Sequence, residues 1–266
     1  MDKAIILHSI VPLRDRPDEG AEQLTQLMFG ETCRIIGREP RWTRVVNDYD
    51  GQEGWADFKM ITSVTDEQYD EYRQSDRTAV VKFPIAYAVS DANVILPVNA
   101  GTHLSNYHDG QFSLLDTVFH IDPQLVAAKP LVLNADNFWQ VARFFMNIPY
   151  LWGGKNCMGM DCSGLSGVLL SLFGISLKRN AREQITQGKP IEQLSQARCG
   201  DLAFFNHVSR SKEQTNISHV GILLNSDTIM HCSGRVKIEK ITEQGILSEL
   251  DHSLTHDLAG IRRYTA

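Results

Sequence analysis

Trp152-Gly153-Gly154-Lys155-Asn156-Cys157-Met158-Gly159-Met160-Asp161-Cys162-Ser163-Gly164 runs directly into Leu165-Ser166-Gly167-Val168-Leu169-Leu170-Ser171-Leu172-Phe173. The first part is a glycine-rich loop. The second sets Leu165, Val168, Leu169, Leu172 and Phe173 at i, i+3, i+4, i+7 and i+8, the spacing of one apolar helix face. Gly174 is a natural C-terminal stop. Cys162 therefore falls at or near a helix N-terminus, where partial positive charge favours the thiolate. Thiolate is the nucleophilic form of cysteine. Any one cysteine is more often a buried structural thiol, but the small or polar neighbours Asp161, Ser163 and Gly164 weigh against that role here.

The texture on either side sets the fold class. Before the loop, residues 134–147 carry Phe138, Val141, Ala142 and Phe145 at helical spacing, with Asn134 or Asp136 as cap. After it, residues 180–187 read as a short helix, and residues 201–205, 220–224, 228–232 and 259–264 as strands. Helices first and an antiparallel sheet afterwards make an α+β domain over residues 129–266. Residues 1–64 hold several short strands with turn chemistry at 47–51, the pattern of a small β-barrel. Residues 65–77 are polar and charged and read as a linker or short surface helix. Residues 78–128 return to strands and predict a second small barrel.

A thiol nucleophile needs a base. Most of the nine histidines lie in segments that read as loops or barrel edges, His8, His103, His108, His120, His252 and His256 among them. His219 and His231 differ, because each borders a strand and they are twelve residues apart. In a hairpin whose paired residues have an even index sum, both side chains point to one face. One could then act as base and the other orient it through its second ring nitrogen. His207 is the competing base, and two half-buried strand histidines are the plainer alternative. A metal site drawn from Cys157, Cys162, His219, His231 and Cys232 is disfavoured, because the short paired spacing of zinc ligands is missing. No metal and no cofactor are expected.

Composition bounds the remaining classes. Hydrophobic residues make up 42% and charged residues 22%, ordinary values for a soluble globular chain. The net charge of −6 comes without a dense Lys/Arg cluster, so nucleic acid is not an expected partner. The uncharged stretch 162–177 is too short and too polar to span a bilayer, and no membrane partner is expected. Five cysteines, an odd number without a CxxC pair, fit a reducing compartment better than a disulfide framework. The N-terminal segment has no long apolar h-region, so the expectation is a cytoplasmic protein, with a monomer favoured.

Taken together, these residues resemble the NlpC/P60 cysteine peptidases of bacterial cell-wall peptides. The resemblance covers about residues 135–264 and rests on Trp152-Gly153-Gly154 followed by Asp161-Cys162-Ser163-Gly164, on Gly200-Asp201-Leu202-Ala203-Phe204-Phe205, and on His219-Val220-Gly221-Ile222 and Ile229-Met230-His231. It implies a papain-like domain with Cys162, His219 and His231 as triad. The N-terminal half is similar to two bacterial SH3-like barrels. That combination resembles the γ-D-glutamyl-L-diamino acid endopeptidases, which cleave after L-Ala-γ-D-Glu and need a free N-terminal L-Ala.

The resemblance implies that Glu31, in Phe29-Gly30-Glu31, pairs with the substrate ammonium, and that Trp152, Asp161 and Ser163 contact substrate. The family's Tyr stands two before the Gly-Trp pair. Here that position is Gln52, and Tyr49 lies three residues earlier. The expected partner is a murein tripeptide or tetrapeptide met during wall-peptide recycling. A hydrolase of intact peptidoglycan and a catalytically inactive murein-peptide binder are the competing readings.

Overall fold

The computed structural model describes residues 2–207 and 217–265 and divides the chain into two compact units. The first comprises Met1–Leu131 together with Trp152–Cys157; the second comprises Val132–Leu151 and Met158–Ala266. Among the described residues no helix is long and apolar enough to cross a membrane.

The first unit opens with β1 (Lys3–Ile5), β2 (Ile10–Arg14), β3 (Gln23–Met28), β4 (Thr32–Glu39), β5 (Trp42–Asn47), β6 (Glu53–Asp57) and β7 (Thr62–Val64). They form one antiparallel sheet in the order β3-β2-β6-β5-β4-β1-β7. Alternation places Val11, Leu13, Cys33, Ile35, Val45 and Ala56 inside, where they pack with Ala4, Ile6 and Leu27.

Residues 65–77, read as a linker or short surface helix, hold α1 (Asp66–Gln74). Thr65 and Gln68 close a reciprocal capping box. Tyr69 and Tyr72, one helical turn apart, are both buried, and the Tyr72 hydroxyl donates to the Gly30 carbonyl at 2.9 Å. Two tyrosines on one face outweigh the polar composition around them, so the segment docks rather than spans.

Next come β8 (Ala79–Val81), β9 (Ile85–Ser90), β10 (Ile95–Asn99), β11 (His103–Leu104), β12 (Gln111–Leu114), β13 (Thr117–His120) and β14 (Val126–Ala127). They make a four-stranded sheet, β10-β9-β13-β12, and a three-stranded sheet, β11-β8-β14. Their shared core includes Phe112 and Phe119, stacked at 5.2 Å, with Phe29 from the turn after β3 set edge-on to both.

The second unit starts with α2 (Ala135–Ala142), capped by Asn134, and runs through a 3-10 turn to Phe145. In the glycine-rich stretch, β15 (Lys155–Asn156) belongs to the first unit and β16 (Gly159–Met160) to the second. Then follow α3 (Cys162–Ser171), α4 (Ala181–Gln184), β17 (Lys189–Ile191), β18 (Leu202–His207), β19 (Ile217–Leu223), β20 (Thr228–Ser233), β21 (Arg235–Thr242), β22 (Gly245–Leu247) and β23 (Leu254–Arg263).

The sheet order is β17-β23-β18-β19-β20-β21-β22, and β22 also pairs with β23. The ring β23-β18-β19-β20-β21-β22 thereby closes on itself, all antiparallel, with Phe205, Leu223, Ile229, Ile241, Ile246 and Ile261 among its core. A single apolar face was expected for α3. In the structure Ser163, Gly164, Ser166, Leu170 and Ser171 are buried as well, so α3 is enclosed nearly all round. Its serines and glycines are small enough to let neighbours approach on the side opposite the leucines.

Candidate active site

Cys162 is the first residue of α3, and Asp161 is its N-cap. The Asp161 carboxylate accepts the Gly164 N–H at 2.7 Å and the Ser163 hydroxyl at 3.1 Å. Arg179 grips the same carboxylate with two guanidinium nitrogens, at 3.0 and 2.6 Å, and also donates to the Ser163 hydroxyl at 2.9 Å. Such a bidentate, charge-assisted pair is geometrically exacting. It clamps the turn that carries the thiol. Ser166 and Gln184 extend the polar network behind it, and Gln184 donates to the Ser163 carbonyl at 3.2 Å.

α3 packs against β19 and β20. The Val220 N–H reaches the Cys162 sulfur, which ties the thiol to the residue beside His219. Burial, and then the Asp161 charge, push the Cys162 thiol up to about 12, against the pull of the Val220 and Ser163 N–H groups and Arg179. The helix N-terminus alone predicted a thiolate. With only 7% of Cys162 exposed, desolvation outweighs the dipole, and the resting group is a neutral thiol. It therefore requires a base.

The sheet supplies one. Gly221 on β19 lies opposite His231 on β20, which lies opposite Lys237 on β21. His219 and Glu239 are thus the two diagonal neighbours of His231, all on one face. His219 Nε2 and His231 Nδ1 are 2.9 Å apart, and His231 Nε2 and Glu239 Oε2 are 2.8 Å apart. Gly221 makes room for this row, since a Cβ there would stand 2.9 Å from the His231 Cβ and 2.7 Å from Ile229 Cδ1. His231 is fully buried, and that burial lowers its pKa against the opposing pull of Glu239. Burial raises the Glu239 carboxyl, but hydrogen bonds from His231, the Glu249 N–H and Lys237 override it and bring it to about 2.

Three neighbours of this row escaped the sequence reading. Glu239 lies on a strand the sequence did not predict. His256, taken as a loop histidine, is on β23 with its ring 4.4 Å from that of His219. Tyr150, two residues before the Trp152-Gly153-Gly154 signal, lies near Cys162 and Asp161, and burial, with the Asp161 charge adding to it, raises its hydroxyl pKa. His207, the competing base, ends the backbone of β18, but its side chain lies outside the described residues.

The other expected contacts lie in the first unit. Glu31 follows Gly30, whose φ of +77° turns the chain between β3 and β4. Its carboxylate accepts from Asn47 Nδ2 at 3.0 Å and the Met28 N–H at 3.2 Å, and pairs with Lys155 Nζ at 3.0 Å. Asp50 stands 3.8 Å from the same ammonium. Burial, with Asp50 adding to it, raises the Glu31 pKa against the pull of Lys155. Two carboxylates thus face one ammonium.

The Tyr49 ring lies 6.0 Å from Lys155 Nζ and 5.9 Å from the His103 ring, and Tyr49 and Glu31 both line a cleft of about 140 Å³. The Gln52 side chain donates to the Glu53 carbonyl instead. The Trp152 indole donates to Glu22 at 2.7 Å, and the ring stays 58% exposed. Among the described residues, no group of three His, Cys, Asp or Glu side chains is arranged to hold a metal ion.

Comparison with known proteins locates two modules. Residues 147–255 match the NlpC/P60 family, and residues 13–57 match the bacterial dipeptidyl-peptidase SH3 domain. The chain is 26% identical over 223 residues to a gamma-D-glutamyl-L-lysine dipeptidyl-peptidase of Bacillus subtilis, covering 78% of this chain and 71% of that protein. It is 22% identical over 267 residues to the Bacillus cereus protein of the same name, covering 90% and 74%. A shorter match of 33% over 125 residues links it to dipeptidyl-peptidase 6 of Lysinibacillus sphaericus, covering 45% of this chain and 41% of that one. The crystal structure of an NlpC/P60 family protein from Bacillus cereus superposes with a TM-score of 0.80 at 19% identity, over 98% of this chain and 99% of that one.

Proposed function

We propose, for a chain that carries an NlpC/P60 domain and a bacterial dipeptidyl-peptidase SH3 domain, a cysteine peptidase that hydrolyses the γ-D-Glu–L-diamino acid bond of murein peptides. The observation that carries this reading is a buried thiol on the first turn of α3, tied by its sulfur to β19, beside a hydrogen-bonded histidine pair.

In this scheme His219 takes the thiol proton as the Cys162 sulfur bonds to the γ-carbonyl carbon. The Cys162 backbone N–H, at the helix start, stabilises the oxyanion. His219 then returns the proton to the departing amine as the C–N bond breaks. Water, deprotonated by His219, attacks the thioester carbonyl; the C–S bond breaks, the Cys162 sulfur takes the proton back from His219, and the acid is released. A neutral thiol at rest makes the paired proton transfer necessary. His231 orients His219 in this cycle.

The names of the relatives, gamma-D-glutamyl-L-lysine dipeptidyl-peptidases, support a diamino acid after γ-D-Glu in the substrate. The proposed role is in recycling of wall peptides. The Glu31–Asp50 cluster supports recognition of an N-terminal ammonium, because Lys155 neutralises only one of two carboxylates. Tyr49, beside that cluster, is the proposed counterpart of the family tyrosine.

Mass spectrometry of L-Ala-γ-D-Glu-meso-diaminopimelate and L-Ala-γ-D-Glu-L-Lys, each beside its N-acetylated form, tests the reading. Dipeptide release from the free-amine substrates by wild type, and none by Cys162→Ala, is the expected result. Equal cleavage of acetylated peptides would remove the ammonium requirement. Retained activity in Cys162→Ala would remove the mechanism.

A further inference from the structure

We propose that Glu239 is a positioning residue that sets the tautomers of both histidines, leaving the basic lone pair of His219 on Nδ1. This rests on Cys162 and His219 being nucleophile and base.

The inference is a proton count along one row of the sheet. The Glu239 side chain is 1% exposed and ionised, and an ionised carboxylate only accepts. The proton in its 2.8 Å contact with His231 must therefore reside on His231 Nε2. A neutral imidazole carries one proton, so His231 Nδ1 is an acceptor. The proton in the 2.9 Å contact between the rings then belongs to His219 Nε2. His219, as the base of the proposed cycle, is left with its lone pair on Nδ1, the nitrogen that takes the thiol proton. When it does so, His219 Nε2–H still donates to His231, and His231 Nε2–H still donates to the carboxylate. No hydrogen bond has to be rebuilt as positive charge appears.

The far side of Glu239 is what makes the assignment rigid. Its Oε1 accepts from the Glu249 N–H at 2.8 Å and pairs with Lys237 Nζ at 3.0 Å. Two donors point at one oxygen. In Glu239→Gln the side-chain carbonyl must face those donors, which turns the NH2 group towards His231 Nε2. That nitrogen must then accept, His231 Nδ1 becomes the donor, and His219 Nε2 becomes the acceptor. The proton moves to His219 Nδ1 and the base is lost. A single isosteric change thus inverts two rings in sequence. Glu239→Asp keeps an acceptor-only group and keeps the order.

Long-range 1H–15N spectra of the full chain labelled at histidine, taken at pH 7.5, read the wild-type state directly. Nε2–H on both His219 and His231 is expected; Nδ1–H on His219 would overturn the assignment whatever the variants do. Alkylation of Cys162 by iodoacetamide, followed on the Cys162 peptide by mass spectrometry, reads the base without any peptide substrate. Glu239→Gln is expected to slow it by up to ~10⁴-fold at pH 7.5, the loss seen when a catalytic histidine is held in the wrong tautomer, with Glu239→Asp within about tenfold of wild type. Unchanged alkylation in Glu239→Gln, or equal losses in both variants, would assign Glu239 to packing alone. Failure of wild type to cleave the murein peptides would count against the proposed substrate and leave these readouts intact.

Discussion

Replacing Arg179 with Met probes the clamp under the nucleophile. Arg179 and Asp161 form two N–H···O bonds of 3.0 and 2.6 Å, with side chains only 3% and 9% exposed. Met fills most of the volume but removes the cation. The Asp161 carboxylate keeps the Gly164 N–H and the Ser163 hydroxyl, and loses its only bidentate partner among the described contacts. Breaking a buried pair from one side costs about 3–5 kcal/mol, because the remaining charge stays desolvated. That corresponds to a fall in melting temperature of roughly 10 °C. Asp161→Asn is a gentler change at the cap, since Asn is as good an N-cap as Asp, but it strands the guanidinium. The double variant Asp161→Asn/Arg179→Met removes both charges. Its cost should fall short of the sum of the single costs by about 2–3 kcal/mol. Urea unfolding of the full chain for all four proteins measures the cycle. A loss below about 1 kcal/mol in Arg179→Met, or a coupling near zero, would refute the clamp, because surface pairs behave that way.

Gly221→Ala should cost about 1–3 kcal/mol and lower kcat, since its Cβ would press on Ile229 and His231; calorimetry and peptide turnover check it. Acid should destabilise the fold in two steps. The His231 pKa is lowered on folding, so its contribution is present above about pH 6.5 and is lost as pH falls through its folded value. The Glu239 pKa drops from 4.5 to about 2, so its contribution, of about 3 kcal/mol, is present above pH 4.5 and is lost between there and 2. Glu239→Gln should lack the lower step in acid titration followed by circular dichroism. Lys155→Met leaves Glu31 and Asp50 buried together without their ammonium and should cost about 3–5 kcal/mol at pH 7.5. Because the Glu31 pKa is already raised and would rise further, part of that loss should return as pH falls to 5.5, which denaturant titrations at both pH values would show.

How much of this was legible in the sequence depended on whether the signal was local. The start of α3 was readable because the glycine-rich loop, the apolar spacing from Leu165 to Phe173 and the stop at Gly174 are all local. The shared face of His219 and His231 was readable because parity is a property of any hairpin, and the observed pairing of Gly221 with His231 has the even index sum that it requires. The encircling burial of α3 was not readable, since it depends on a sheet that closes only when β22 meets β23. Between linker and short helix at residues 65–77 the sequence left the choice open for a related reason: composition averaged over the segment hid two tyrosines on one face.

The chemistry sits where local pattern and environment disagree. In Arg235-Val236-Lys237-Ile238-Glu239 the charged residues alternate with apolar ones, as on a solvated strand face, yet Glu239 is 4% exposed. Arg179, Asp161 and Lys155 are likewise residue types that belong in water and are buried here. Each is tolerated only because a partner on another element or the same strand meets it: Asp161 for Arg179, Glu31 for Lys155, and Lys237 with His231 for Glu239. Hydrophobic patterning is blind to such pairs, because each member alone is indistinguishable from a surface charge. Folding brings them together, and the desolvation they endure is what fixes their geometry. The ion pair beneath Cys162 holds a helix start in place, and the carboxylate behind His231 holds a proton in place. Both are the kind of local inconsistency that a functional site, rather than a stable core, gives a reason to retain.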